Sequence, residues 1–330
     1  MRLDMKVQER KIISVENINK KFNTHIRKGI FKRERKELKV VKDISFDIYE
    51  GEVVGFLGPN GAGKSTTIKM LTGIITPSSG RCLINGIEPY KERVKNARNI
   101  GVVFGQRTSL WWDMSLQDNL ELLKEIYDVT DEEYNLRMEY LEELLGFKKL
   151  LNKQIRTMSL GQRMLSDLVG ALIYKPKILF LDEPTIGIDI ILKEKLLNIL
   201  KEINKKEKIT IILTTHDMRD VEALCDRIVI INEGEKIFDD TMENLVDKYV
   251  NEKIIKVTLK DKVDIDKIKE INGVLSINYE DNLLSINILK DVLVEKKVIM
   301  SLYDMYNIEK LELEEEDITS VVKKIYQTKI

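Results

Sequence analysis

The chain has 330 residues, enough for one large core and one smaller domain, and its 54 Lys plus Arg nearly balance 55 Asp plus Glu. A net charge of −1 gives no general footing for wrapping nucleic acid, and no nucleic-acid partner is expected without a local basic patch. No apolar run reaches the roughly 20 residues that cross a bilayer, no signal-peptide core stands near the N-terminus, and Cys82 and Cys225 suit neither a disulfide framework nor a metal cluster. The expectation is a chain kept in the cytoplasm, with both cysteines as ordinary buried residues.

The first element predicted is a strand in IISVENI, residues 12–18. A basic stretch at 20–39 follows, with nine Lys or Arg against two acids. It reads as a solvated loop or as a surface that adsorbs to anionic lipid. VVGFLGPNGAGKST, residues 53–66, then gives a strand ending at Leu57, a glycine-rich turn, and a helix opened by Lys64, Ser65 and Thr66. That context defines a phosphate loop. Gly58, Pro59, Asn60, Gly61, Ala62 and Gly63 allow the backbone N–H groups to turn inward around a β-phosphate, aided by the positive end of the helix. Lys64 is expected to reach the β- and γ-phosphates and Ser65 to hold Mg²⁺.

NIGVVFGQ is a strand ending in Gln106, whose amide suits both Mg²⁺ and an attacking water. Helical periodicity then dominates the segment of about 107–158, opened by SLWWD with both tryptophans, Trp111 and Trp112. Adjacent residues do not share a helix face, so at least one of the pair is expected in a partner groove, the alternative being core packing for both. TMSLGQRMLSD follows. Ser159 is a good N-cap for a helix burying Leu165, Leu168 and Leu172, and Arg163 and Asp167, four apart, could pair on its exposed face. KILFLDEP is a buried strand delivering Asp182 to hold Mg²⁺ through water and Glu183 to polarise the attacking water as general base. ITIILTTHD is another strand, ending in His216, whose imidazole could bond the γ-phosphate and position the water.

With GPNGAGKST, Gln106, MSLGQ, LFLDEP, TIGID and His216 in that order, residues from about 11 to 245 resemble the nucleotide-binding subunit of ATP-binding cassette transporters, nearest to drug- and polysaccharide-type exporter ATPases. The resemblance implies an α/β phosphate-loop ATPase fold with a helical subdomain at about 107–158, ATP and Mg²⁺ as ligands, and ATP hydrolysis. It also implies a head-to-tail homodimer or heterodimer of cassettes, in which Ser159, Gly161 and Gln162 meet the γ-phosphate bound by the other subunit. Asp189 would lie at the dimer seam. An aromatic residue before the first core strand would stack on adenine, and Phe22 is preferred to Phe31. Leu160 departs from the pattern, which carries a glycine there; the chemistry survives if its side chain points away from phosphate. Separate integral membrane permease subunits would contact the region around Trp111 and Trp112, placing the chain at the cytoplasmic face of the membrane.

From residue 246 to 330 the pattern changes to strand, helix, hairpin, helix, strand and a final amphipathic helix. KIIKVTLK, VLSINYE, LLSINIL and IEKLELE are the strands, and a small α/β sandwich with a regulatory, dimerising or partner-binding role is expected. The leading reading is an exporter ATPase. The alternatives are an importer subunit or a soluble cassette switch acting on ribosome or DNA; against the switch, ribosome-associated members usually join two cassettes and repair-type members carry long coiled coils, and neither feature is expected in these 330 residues.

Overall fold

The computed structural model describes residues 10–27, 33–105, 107–250, 252–259, 263–280, 282–315 and 318–327. They divide into two units, the first reaching Asp240 and the second starting at Thr241, each with its own apolar core. From the sequence the boundary is expected after 245. It falls earlier because the helix Met242–Tyr249 buries Leu245 and packs against the last helix of the chain.

The N-terminal unit opens on β1 (Lys11–Arg27) and β2 (Arg33–Tyr49), paired antiparallel over their whole lengths. Their alternating Ile13, Val15, Ile44, Phe46 and Ile48 are buried, as period-two strands with one covered face require. Where it is described, at residues 20–27 and 33–39, the basic stretch is therefore strand and not loop. Both strands continue into it, through pairs such as Phe22↔Leu38, and Lys21 pairs with Glu37 at 2.8 Å. Ladder hydrogen bonds come from backbone, so a charged composition does not end a strand.

Next come β3 (Val53–Leu57), α1 (Lys64–Leu71), β4 (Ser79–Ile84), α2 (Arg93–Ala97) and β5 (Ile100–Phe104). Strand β4 completes the sheet β2-β1-β4. Helices α3 (Leu116–Ile126) and α4 (Asp131–Leu145) each start on a capping box, Ser115 with Asp118 and Thr130 with Glu133. Each box satisfies donors that the first helical turn leaves open. α5 (Leu160–Leu172) follows, then β6 (Ile178–Asp182), α6 (Ile190–Glu207), β7 (Thr210–Thr214), α7 (Met218–Leu224), β8 (Arg227–Asn232) and β9 (Glu235–Thr241). Six strands form the central sheet in the order β5-β6-β7-β3-β8-β9, with β5, β6, β7, β3 and β8 mutually parallel. Strands β3 and β7 are buried along their whole lengths, as helices on both faces of a parallel sheet demand. Their C-terminal ends lie on one edge, where open α/β sheets place ligands.

Two expectations for α5 need correction. Leu165 is half-buried, while Leu168 and Leu172 are in the core. Asp167 does not pair with Arg163 on an exposed face: it is 3% exposed, and its Oδ1 accepts from the Ser109 N–H at 2.8 Å, Thr108 Oγ1 at 2.9 Å and Ser109 Oγ at 3.0 Å. Arg163 instead lies 5.1 Å from the centre of the Trp112 ring. A carboxylate surrounded by three donors outcompetes a solvated ion pair.

Burial pushes the Asp167 carboxyl above its ordinary 3.8 against the pull of those donors. A raised folded-state value means that this group's contribution is fully present below 3.8 and is lost as pH rises through the folded value. Asp167→Asn, which keeps an acceptor oxygen, is expected to remain within about 1 kcal/mol of the parent at pH 7, whereas Asp167→Ala orphans the Ser109 N–H and costs about 2 kcal/mol. Urea unfolding between pH 4 and 7 checks both, and the parent should gain on the Asn variant as pH falls.

The second unit continues with α8 (Met242–Tyr249), β10 (Glu252–Leu259), α9 (Ile265–Lys269), β11 (Val274–Glu280), β12 (Leu283–Leu289), α10 (Val292–Met305), β13 (Ile308–Glu315) and α11 (Ile318–Gln327). Its antiparallel sheet has the order β11-β12-β10-β13. Alternate residues Ile255, Val257, Leu259, Leu284, Ile286 and Ile288 form one buried face under Ile268 of α9 and Val298 and Leu302 of α10. No helix among the described residues is long and apolar enough to cross a membrane.

Candidate active site

The turn after β3 is built from backbone that only glycine permits. A Cβ on Gly58 would stand 2.2 Å from the Ile231 carbonyl oxygen, and Gly63, at φ 106°, is pressed against the Val40 carbonyl oxygen. The turn delivers Lys64, 6% exposed, whose Nζ donates to the Gly58 and Pro59 carbonyls at 2.6 and 3.2 Å. Burial lowers the Lys64 ammonium below its usual range, opposed by the negative charges of Glu183 and Asp182. Those two carboxylates favour the charged form of the buried amine. No side chain caps α1, so its first N–H groups remain for a ligand. Pro59, Asn60 and Gly61 form the exposed crest of this loop, Ala62 is buried beneath it, and Thr66 is half-buried on α1.

Strand β6 brings Asp182 to the same place. Ser65 Oγ donates to Asp182 Oδ1 at 3.3 Å, and Thr214 Oγ1 at the end of β7 donates to the same oxygen at 2.5 Å. A hydroxyl and a carboxylate converging beside a phosphate loop are hard oxygen ligands, the set that Mg²⁺ selects. Glu183 follows in a left-handed conformation, φ 54°, with its N–H bonded to the Thr214 carbonyl at 2.9 Å. Its Oε1 lies 3.5 Å from Nδ1 of His216, whose side chain is 59% exposed. Gly105, at the end of β5, donates its N–H to the Asp182 carbonyl, and a Cβ there would stand 1.8 Å from the Glu183 carbonyl oxygen. Gln106, next in the chain, lies outside the described residues.

Sequence reasoning missed the groups that brace the chain on either side of His216. Asp217 caps α7, accepting from the Arg219 N–H, and Lys193 of α6 bridges Asp217 and the fully buried Asp220 at 2.5 Å each. Thr185 Oγ1 donates to Asp220 as well. Burial works to raise the Asp217 carboxyl, but Arg219 and Lys193 overcome it and hold it well below the usual range. This network ties the His216 loop to the loop after Pro184 around a cavity of about 460 Å³ lined by Glu183, Thr185, Lys193, His216 and Asp220. Asp217 as an N-cap was the one readable signal; Lys193 and Asp220 sit in no local pattern.

Ser159 caps α5 in a capping box, accepting from the Gln162 N–H at 3.3 Å while Gln162 Oε1 accepts from the Ser159 N–H at 3.4 Å. Asp189 caps α6, accepting from the Leu192 N–H at 3.0 Å. Among the described residues no hydrogen bond or ion pair joins Ser159, Gly161, Gln162 or Asp189 to residues 58–66. Phe22 is 36% exposed on β1 with Lys20 Nζ 5.1 Å from its ring centre. Its pairing partner Leu38 is two residues from Val40, whose carbonyl touches Gly63, which sets Phe22 on the sheet beside the phosphate loop. Phe31 lies outside the described residues.

A phosphate loop, an acidic strand end and a histidine on one edge of a parallel sheet define a phosphate-loop ATPase. The family model for ABC transporters matches residues 41–186. The chain is 34% identical to the ABC transporter ATP-binding protein NatA of Bacillus subtilis (strain 168), over 65% of this chain and 87% of the relative. It is 37% identical to the linearmycin resistance ATP-binding protein LnrL of the same organism, over 67% and 70%. A solved ATP-binding subunit of an ABC transporter superposes with a TM-score of 0.62 at 26% identity, covering 72% of this chain and 93% of that one. A cassette solved as a dimer in a post-hydrolysis state with ADP and phosphate gives 0.61 at 25% identity, over 70% and 98%. The chain belongs to the ATP-binding subunits of ABC transporters, and its activity is ATP hydrolysis coupled to transport.

Proposed function

We propose that the chain powers an exporter from the cytoplasmic face of the membrane, as a head-to-tail dimer acting on a separate transmembrane subunit. The observation that carries this reading is the division of the site. Lys64, Ser65, Asp182, Glu183 and His216 converge on one sheet edge, whereas the capped turn Ser159–Gln162 is joined to none of the phosphate loop, leaving it for a second subunit's nucleotide.

In this reading residues 58–66 wrap the phosphates, Lys64 neutralises them, and Phe22 supports adenine. Ser65 and Asp182, with Gln106, would hold Mg²⁺, which when bound neutralises charge on the phosphates. Glu183 takes a proton from the attacking water, and His216, which precedes the Asp217 that Lys193 binds, holds that water and the γ-phosphate in line. Ser159, Gly161 and Gln162 close the site from the partner cassette, with Asp189 at the seam. The C-terminal unit then has a regulatory or dimerising role.

Delivery of work rests on Trp111 and Trp112. Asn119, fully buried, accepts from the Trp111 N–H at 2.6 Å and donates to its carbonyl, pinning a turn that leaves the two rings 44% and 46% exposed. Two adjacent exposed indoles on a pinned turn suit a buried contact with a permease helix. Export is supported by relatives named for linearmycin resistance and Nod factor export. Purification from native membranes in mild detergent is expected to retain an integral membrane protein in stoichiometric amount, and Trp111→Ala/Trp112→Ala to lose it. Retention of ribosomes or DNA-associated proteins in its place would overturn the transporter reading.

A further inference from the structure

The turn that opens α5 and the loop that leads into α6 meet through two reciprocal leucine–glycine contacts. Leu160, first residue of α5, is half-buried, and its Cδ2 lies 2.9 Å from where a Cβ on Gly187 would stand. Leu192, in the first turn of α6, is also half-buried, and its Cδ2 lies 2.2 Å from where a Cβ on Gly161 would stand. Each segment's leucine occupies the hole left by the other's glycine. Gly161 sits within the helix, where alanine is the better helix former, so its backbone does not call for glycine; the space taken by Leu192 does. Gly187, at φ 73°, has a backbone reason of its own as well.

The two interlocked turns carry the polar caps. Ser159 precedes Leu160, and Asp189 accepts from the N–H of Leu192 itself. A glycine at 160, as in the signature that this segment resembles, would leave the hole over Gly187 unfilled. We propose that Leu160 is a positioning residue: with Leu192 it locks the 185–189 loop to the start of α5, so that Ser159 and Asp189 form one rigid edge facing the partner subunit's nucleotide. The inference rests on the head-to-tail reading for its effect on turnover, but the lock itself is a property of the single chain.

The test uses the full chain and two readouts: steady-state ATP hydrolysis, and amide hydrogen exchange of segment 185–192 without nucleotide. Leu160→Ala is expected to lower kcat about tenfold or more, as misplacement of a positioning edge does, with KM for ATP within about twofold. Exchange in 185–192 should rise at least about tenfold, local opening being what the lock suppresses. Leu160→Met should restore both. A second pair guards against a variant that merely misfolds: Gly161→Ala should also open the segment, by collision with Leu192, and Gly161→Ala/Leu192→Ala should close it again. Unchanged exchange in Leu160→Ala, or simple addition of the Gly161→Ala and Leu192→Ala effects, overturns the lock. Loss of exchange protection with kcat unaltered overturns the positioning role and leaves the Glu183 chemistry to be judged by its own variant.

Discussion

Glu183→Gln is expected to bind ATP as the parent does and to hydrolyse it at least about a hundredfold more slowly, the loss that removal of a general base produces. The amide has the size of the carboxylate and leaves the backbone undisturbed, because the position is fixed by main-chain groups: the Glu183 N–H bonded to the Thr214 carbonyl, and Gly105 pressed against the Glu183 carbonyl. What disappears is proton affinity beside His216 Nδ1, 3.5 Å away. With ATP bound and uncleaved, the closed dimer should accumulate, visible as a doubling of mass in light scattering. Turnover within about tenfold of the parent would assign the base elsewhere. A variant that stays monomeric with ATP at high protein concentration would remove the head-to-tail pairing.

Lys64→Ala should fail differently. Loss of one charged donor aimed at the transferred group costs about 10²–10³ in turnover, and here ATP affinity falls too, because the same amine neutralises bound phosphate. Two carbonyl oxygens, those of Gly58 and Pro59, lose their donor at 2.6 and 3.2 Å. The stability change is nonetheless small, since the buried ammonium that burial already penalises is removed with it. Titration with a fluorescent ATP analogue separates the variants: Glu183→Gln retains binding and Lys64→Ala loses it. Normal affinity and turnover in Lys64→Ala would take the phosphates away from residues 58–66.

Features set by neighbours along the chain were legible before the structure. The Ser159 cap is announced by Ser followed three residues later by Gln, and the glycines at 58, 61 and 63 by the strand before them and the helix after. In the C-terminal unit, strict alternation placed β11 and β12, and the amphipathic spacing of Val321, Val322 and Ile325 placed α11. Features set by distant partners were not. The charges of residues 20–27 and 33–39 conceal strands whose ladder is made by the backbone. Asp167 looks like half of an ion pair with Arg163 until the 108–109 turn, far off in sequence, brings three donors to it. Lys193 and Asp220 meet only because α6 and α7 pack together. Leu160 reads as a blemish in a motif, and its meaning depends on Gly187 and Leu192, which no spacing rule connects to it.

Glu183 stands in a backbone conformation that glycine or asparagine adopts more readily than glutamate. Selection for thermostability alone would therefore favour those residues at 183 and yield a sturdier, inert chain. Under the role proposed for it, Glu183 is a position where chemistry and backbone preference pull in opposite directions.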